Sequence, residues 1–181
     1  CLMKIILDAM GGDNAPLEIV KGALAGQKHW GVDIVLTGEE KAIREALAQC
    51  GAQELPAGME IAATTETVEM CDDPATVFRR KKDTSMGVGL TMLREGKGDA
   101  LVSAGSTGAL LTGATLITKR IHGIRRAAMA PVIPTTTGQA VLIDCGANAE
   151  CTPEYLVQFA YLGSFYAQQV LRLAKPRVGL L

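Results

Sequence analysis

The sequence predicts a doubly wound α/β fold, a three-layer α/β/α sandwich around a mixed but mostly parallel sheet. Short apolar runs such as "KIIL" alternate with segments whose apolar residues recur at helical spacing. Hydrophobic residues make up 48% of the 181 residues and aromatic residues only 4%, a composition that suits an α/β sandwich better than an all-β fold. The net charge of −1 gives no overall field that would attract nucleic acid or an anionic membrane.

The first part of the chain alternates strictly between strands and helices. A proline at the start of the first helix and glycines just past the ends of both helices follow the usual positional preferences of these residues. Strands are predicted over residues 4–7, 32–37 and 59–63, and helices over 16–30 and 39–49.

The remainder of the chain continues the alternation. Helices are predicted over 74–82, 85–95 and 152–174, strands over 99–104, 128–133 and 139–144, and a loop entering a helix over 105–118. The short "PTTTG" connection predicts that the last two strands are antiparallel, which makes the sheet mixed.

The two ends of the chain carry further expectations. The final "RVGLL" is predicted to begin another buried strand. Residues 3–181 are therefore expected to be the N-terminal part of a single α/β catalytic domain in a longer protein. Met3 is expected to be the natural start, with Cys1-Leu2 as added residues.

The stretch "LDAMGGDNAP" places two carboxylates, Asp8 and Asp13, around the pair Gly11-Gly12 where a strand hands over to a helix. In an open α/β sheet such loops line the ligand crevice, and glycines let backbone N–H groups approach a ligand closely. The positive end of the following helix favours an anion at the same place. The alternative is a plain tight turn with Asp13 or Asn14 capping the helix. Asp8 fits that alternative less well, because a carboxylate at a strand end needs a partner such as a lysine or a phosphate proton.

The basic stretch "FRRKKDTSM" holds four consecutive cations, which cannot share one face of a helix. Lys81 or Lys82 is predicted to enter the crevice. The others would then form a docking surface for an acidic partner. The alternative is that the whole run is a solvated surface.

Two further loops follow predicted strands and combine glycine with polar side chains. In "SAGSTGALL", Ser106 and Thr107 lie at a predicted helix N-terminus, where hydroxyls and open N–H groups suit phosphate or a developing oxyanion. The alternative there is a simple capping turn. In "DCGANAEC", Asp144 and Asn148 form a similar loop. Three such loops at one sheet edge favour a ligand site.

Several other functions are disfavoured by missing residues. The segment from Gly108 lacks the lysine of a P-loop, and "GVGLTM" lacks the third glycine of a dinucleotide fingerprint. The five cysteines form no C-x-x-C pair and are accompanied by only two histidines, so no metal site is predicted. Reduced thiols in a cytosolic protein are the simpler interpretation. A nucleophilic role for Cys145 or Cys151 is disfavoured because no histidine lies near either in sequence.

Together these segments resemble the phosphate acyltransferase (PlsX) family of bacterial phospholipid synthesis. The segments "DAMGGDNAP", "RRKKDTSMGVGL", "SAGSTGALL" and "DCGANAECTPEYLVQFAYLGSFYA" occur in that family's order, and the resemblance runs from Met3 to Leu181. Two positions depart from the family pattern, which usually has asparagine in place of Ser106 and often aspartate in place of Glu150. The first change weakens the case for a side-chain amide donor there, although serine still donates.

The resemblance implies an α/β enzyme similar in fold to phosphotransacetylases and to the isocitrate dehydrogenase group. It implies transfer of a long-chain acyl group from acyl carrier protein to inorganic phosphate, without a cofactor. It also implies a cytoplasmic homodimer with peripheral association at the inner membrane face. On this basis the catalytic residues are expected to be Asp8, Lys81, Lys82 and Asn148. Substrate contacts are expected from Gly11, Gly12, Asp13, Ser103, Ser106, Thr107 and Asp144, and carrier-protein contacts from Arg79, Arg80, Arg125 and Arg126.

Two alternative functions stay open on sequence alone. One is a phosphotransacetylase-like enzyme that uses small acyl-CoA substrates. The other is a non-catalytic scaffold that keeps the fold, although a scaffold has no need of glycine-rich loops at three strand ends.

Overall fold

A computed structural model describes residues 3–181 of the chain. Cys1 and Leu2, expected above to be added residues, lie outside the described part. The chain divides into two units, one ending at Lys119 and one formed by Arg120–Leu181. Each unit has its own secondary structure.

The first unit alternates strands and helices as predicted. Its elements are β1 (Lys4–Asp8), α1 (Leu17–Trp30), β2 (Asp33–Gly38), α2 (Glu40–Gln49), β3 (Met59–Ala63), α3 (Val77–Arg80), α4 (Ser85–Arg94), β4 (Ala100–Val102) and α5 (Thr107–Gly113), followed by a π-helical segment, Ala114–Thr118.

The four strands form one parallel sheet in the order β3-β2-β1-β4. The chain first moves outward from β1 through β2 to β3, and then crosses back to the other side of β1 to form β4. The connections therefore diverge between β1 and β4. In open α/β sheets a ligand crevice lies outside the carboxyl ends of the strands at such a switch point.

Helices cover both faces of this sheet. On one face, α1 and α2 share a cluster of buried residues with β2 that includes Val20, Leu36 and Ile43. On the other face, α4 lies so close to the sheet that a Cβ added to Gly89 would come within 2.7 Å of Leu101 Cδ1. Burial of each large aliphatic side chain contributes roughly 1.5–3 kcal/mol, so packing holds the sheet from both sides.

The second unit contains a hairpin and a long helix. Its elements are β5 (Val132–Thr135), β6 (Gly138–Val141) and α6 (Pro153–Gln169). The predicted antiparallel pairing is confirmed, since Val132 pairs with Val141 and Thr135 with Gly138. The two strands form a two-stranded sheet of their own, so the four-stranded sheet is parallel throughout instead of mixed. Local turn length predicts how two strands pair, but not which sheet they join.

Several predicted elements are longer than the observed ones. The helix predicted over 74–82 is one turn, α3, because Lys81 adopts an extended conformation that ends it. The helix predicted over 152–174 ends at Gln169, and Arg172 has a left-handed φ of 57°. The predicted buried strand at 177–181 is wrong, because these residues are exposed and pair with no strand among the described residues.

Within residues 3–181, no helix is long and apolar enough to cross a membrane.

Candidate functional site

The candidate site lies at the switch point of the parallel sheet, where the loop after β1 (residues 9–16) meets the loop after β4 (residues 103–106). Leu7 pairs with Val102 in the ladder, so Asp8, the last residue of β1, lies beside Ser103, the first residue after β4. Ser103 Oγ donates a hydrogen bond to Asp8 Oδ2 at 2.7 Å. Residues 95 positions apart in the sequence thereby join the two loops.

The Asp8 carboxylate is enclosed by its own loop and by Ser103. The residue is only 1% exposed, and its Oδ1 accepts a hydrogen bond from the Met10 backbone N–H at 3.2 Å. Ser103 Oγ also accepts one from the Gly105 N–H at 3.1 Å. Within the described residues the partner of Asp8 is a serine hydroxyl, and not the lysine or phosphate proton that was predicted.

The glycine pair allows the two loops to touch. A Cβ on Gly11 would lie 2.7 Å from Asp8 Oδ2 and 2.8 Å from the Gly105 nitrogen, closer than real Cβ contacts permit. Gly12 has a φ of 108°, a conformation that side-chain-bearing residues rarely adopt. The two glycines therefore allow the loops after β1 and β4 to come into contact.

The two helices that leave this edge begin differently. Pro16 occupies the N-cap of α1 and no side chain caps that helix, so the alternative in which Asp13 or Asn14 caps it is wrong. Both residues are exposed at the loop surface. Ser106 does cap α5 by accepting a hydrogen bond from the Ala109 N–H at 3.4 Å, and Thr107 beside it is exposed.

Buried polar residues concentrate at this same end of the first unit. Such groups cost about 1–3 kcal/mol each when they lack a hydrogen-bond partner. Thr64 Oγ1 has no partner among the described residues. The buried polar residues described lie at the ends of the strands or at the starts of α4 and α5, and are Asp8, Thr37, Thr64, Thr84, Ser85 and Ser106.

Four of these residues were missed by sequence reasoning: Thr37, Thr64, Thr84 and Ser85. A signal was available for two of them, because a threonine closes each of the apolar runs "DIVLT" and "EIAAT". Thr84 accepts a hydrogen bond from the Gly87 N–H and so caps α4.

The two candidate lysines have different surroundings. Lys81 Nζ donates to Asp72 Oδ2 at 2.6 Å and to the Thr67 carbonyl at 2.9 Å, so it holds the connection between β3 and α4. The hydrogen bond from Lys81 and a second one from the Glu69 N–H lower the pKa of Asp72 below its ordinary value. Lys82 is exposed, and its Nζ makes only a long contact of 3.4 Å with the Phe78 carbonyl.

In the second unit, Asp144 and Asn148 bind each other. Asp144 Oδ2 accepts from both the backbone N–H and the side-chain amide of Asn148, at 2.8 and 3.1 Å, and Asp144 Oδ1 accepts from the Met129 N–H at 2.7 Å. The amide of Asn148 also donates to the Ala127 carbonyl at 2.9 Å. Both side chains thus bind within their own loop and also to the segment that precedes β5.

The four candidate docking arginines are all exposed. Arg125 Nη1 forms an ion pair with Glu154 Oε2 at 3.0 Å, and the Arg126 guanidinium lies 5.8 Å from the centre of the Tyr155 ring. Arg79 and Arg80 form no ion pair within the described residues. These two are therefore the arginines with charge available for a partner.

Structural comparison finds the same fold in two phosphotransacetylases. The enzyme from Streptococcus pyogenes matches with a TM-score of 0.71 at 16% identity, covering 95% of this chain and 55% of that one. The EutD phosphotransacetylase from Staphylococcus aureus matches with a TM-score of 0.67 at 20% identity, covering 92% of this chain and 53% of that one. At such identities the likeness concerns the fold alone.

Sequence comparison identifies the family. The chain is 45% identical over 179 residues to the phosphate acyltransferase of Herpetosiphon aurantiacus, covering 99% of this chain and 48% of that protein. It is 48% identical over 180 residues to that of Desulfitobacterium hafniense strain Y51, covering 99% and 53%. The chain thus spans about half the length of the curated relatives that it matches. The family model described as "Fatty acid synthesis protein" matches residues 3–181, and this chain belongs to that family.

Proposed function

We propose that this chain supplies the phosphate-binding part of an acyltransferase that moves a long-chain fatty acyl group from acyl carrier protein to inorganic phosphate. The product is an acyl phosphate for phosphatidic acid synthesis. The observation that carries the proposal is the meeting of two glycine-bearing loops at the switch point of the sheet. The name of the relatives, phosphate acyltransferase, supports phosphate as the acceptor.

In this reaction the main task of the protein is to position the phosphate and the thioester. Phosphate is its own nucleophile, since its second pKa of about 6 to 7 leaves much of it as the dianion at neutral pH. It attacks the carbonyl carbon of the thioester, and the carbon–sulfur bond breaks as the thiolate leaves. A thiol with a pKa of about 8.5 is a good leaving group, so a strong general acid is not essential. Holding both reactants and stabilising the oxyanion is the task that remains.

The loops of the first unit offer the groups for this task. Backbone N–H groups of Gly11-Gly12 and the hydroxyls of Ser106 and Thr107 are the proposed phosphate contacts. Exposed Lys82 is the cation proposed to join them, because Lys81 is held by Asp72. Asp13, exposed on the same loop as Gly12, would accept a phosphate proton or orient the lysine. Asn148, in the second unit, is a further residue proposed for catalysis, and its side-chain amide already donates to Asp144 and to the Ala127 carbonyl.

The proposal extends to partners. An acidic carrier protein would meet exposed Arg79 and Arg80 first, with Arg125 and Arg126 as weaker contacts because both already have partners. A cytoplasmic homodimer that associates peripherally with the inner membrane face belongs to the proposal through the family resemblance.

The test follows the thiol released from palmitoyl-acyl carrier protein with and without inorganic phosphate. This chain and the longer Desulfitobacterium hafniense relative are assayed side by side. We expect the relative to release the thiol only when phosphate is present. We expect this chain either to release the thiol or to bind phosphate. Release that is independent of phosphate in both proteins would contradict acyl transfer.

A parallel assay with acetyl-CoA tests the phosphotransacetylase-like alternative. Two phosphotransacetylases share the fold of this chain. Consumption of acetyl-CoA at a higher kcat/KM than palmitoyl-acyl carrier protein would replace the proposed carrier with a small one. Absence of binding to either thioester and to phosphate would favour a scaffold.

A further inference from the structure

The hydrogen bond between Ser103 and Asp8 is the only side-chain bond described between the end of β1 and the loop after β4. It is short, at 2.7 Å, and it lies next to Gly11, because a Cβ on Gly11 would come within 2.7 Å of Asp8 Oδ2 and 3.0 Å of Ser103 Oγ. The bond therefore joins the end of β1 to the loop after β4 beside the glycine pair.

Neither side chain has a donor left for a ligand. The single hydroxyl hydrogen of Ser103 goes to Asp8 Oδ2, while Ser103 Oγ accepts from the Gly105 N–H. Asp8 is an acceptor at both oxygens, its Oδ1 taking the Met10 N–H, and it is 1% exposed. A buried carboxylate in direct contact with a phosphate dianion would repel it, so the expectation that these two residues touch substrate does not fit their bonds.

We infer that Asp8 and Ser103 are positioning residues for the phosphate site. Their hydrogen bond sets the spacing of the two loops. This spacing allows the backbone N–H groups of Gly11-Gly12 and the hydroxyls of Ser106 and Thr107 to bind the same phosphate. The inference rests on the proposed function, since it assigns a role within the same phosphate site.

The experiment is a double-mutant cycle read as the dissociation constant for inorganic phosphate, measured by calorimetry on this chain. Ser103→Ala and Asp8→Ala are each expected to weaken phosphate binding about tenfold, since each removes one partner of the Ser103–Asp8 hydrogen bond. The double variant is expected to bind no more weakly than either single variant, because one bond is lost in all three. Ser103→Thr, which keeps the hydroxyl, is expected to retain most of the affinity.

Three results would overturn the inference. Additive losses, about hundredfold in the double variant, would mean that the two residues contact phosphate independently. An unchanged dissociation constant in both single variants would mean that the bond only stabilises the fold. A wild-type chain that binds no phosphate would remove both the inference and the proposed phosphate site, whereas failure of the variants alone leaves the proposed function standing.

Thr115→Ala is the matched control. Thr115 lies in the π-helical segment after α5, and its Oγ1 donates to the Leu111 carbonyl at 2.8 Å. This hydroxyl bond is similar in length to that of Ser103 but lies outside the two loops. Its loss is expected to leave the dissociation constant unchanged. Urea unfolding of every variant, compared with its phosphate affinity, separates a change in stability from a change in positioning.

Discussion

At the scale of single residues, the contact between the loops after β1 and β4 requires glycine at position 11. Gly11 is buried between Asp8 and the backbone of Gly105, and no Cβ fits there without moving one of them. The nearest atoms are a carboxylate held by two hydrogen bonds and a backbone nitrogen, so neither can yield cheaply. The geometry, and not only the flexibility of glycine, therefore fixes this residue type.

Gly11→Ala is expected to destabilise the chain by about 1–3 kcal/mol, the usual cost of overpacking a closed site, and to abolish measurable phosphate binding. Urea unfolding and calorimetry check the two effects. Gly22→Ala is the control, because Gly22 lies in α1 with nothing within 4 Å of its Cβ position. That substitution is expected to stabilise the chain by roughly 0.5–1 kcal/mol. Equal stability of Gly11→Ala and the wild type would contradict the described packing.

The sequence predicted which polar residues lie at the ends of β1 and β4, but not which of them bind each other. The position of Asp8 at a strand end was evident, and so was its need for a partner. That the partner is Ser103 follows from the pairing of Leu7 with Val102, and no local pattern reveals a ladder between strands so far apart. The substrate-contact prediction for Ser103 could therefore not take into account that its hydroxyl is donated to Asp8.

At the scale of elements, the connection between β3 and α4 differs most from its prediction. Charged and helix-favouring residues predicted nine residues of helix, but only one turn forms, because side-chain bonds across the connection compete with the helix. Lys81 bonds to Asp72 and Thr67, and Asp83 accepts bonds from the backbone and hydroxyl of Thr65. A prediction from helical periodicity considers only residues three or four apart, so it cannot detect such long-range pairs.

Removal of either partner of the Lys81–Asp72 ion pair is expected to have the same consequence. Lys81→Ala and Asp72→Asn should both lower the free energy of unfolding. The two variants should also have nearly the same affinity for phosphate. Lys82→Ala, in contrast, should weaken phosphate binding about tenfold or more without lowering stability. If Lys81→Ala alone weakens phosphate binding while Asp72→Asn does not, then Lys81 is the lysine of the site.

The same ion pair gives a prediction for pH. Because the pKa of Asp72 lies below its ordinary value of 3.8, the folded chain favours the ionised carboxylate. The pair therefore stabilises the fold at pH values above 3.8, and this contribution is lost as the pH falls through the lowered pKa. The difference in unfolding free energy between the wild type and Asp72→Asn should be present at neutral pH and vanish in acid. A difference that persists unchanged in acid would contradict the ion pair as its source.

At the scale of the whole molecule, the alternation of strands and helices predicted a parallel α/β sheet, and the structure of the first unit confirms it. The order β3-β2-β1-β4 was not predictable, because the crossover after β3 is decided by which face and edge the later elements cover. The same limit explains why β5 and β6 were assigned to this sheet. Their apolar runs look alike whether they join a larger sheet or pair only with each other.

Charge on the molecular surface gives a prediction for the carrier protein. The double variant Arg79→Ala, Arg80→Ala is expected to weaken binding of an acidic acyl carrier protein by up to about tenfold at low salt, with a smaller loss at high salt. Arg125→Ala should have a smaller effect, since that guanidinium already pairs with Glu154. Titration of the carrier at two ionic strengths measures both effects. A loss that does not change with salt would contradict an electrostatic docking role.

The most direct measurement of the central claim is a crystal structure of this chain with tungstate, an oxyanion of phosphate's shape whose metal atom is easily located. The expected result is one strong site within hydrogen-bond distance of the Gly11-Gly12 amides and the Ser106 and Thr107 hydroxyls, displaceable by phosphate. Tungstate found only on surface arginines or lysines, with the loops of β1 and β4 unoccupied, would contradict phosphate binding at the switch point.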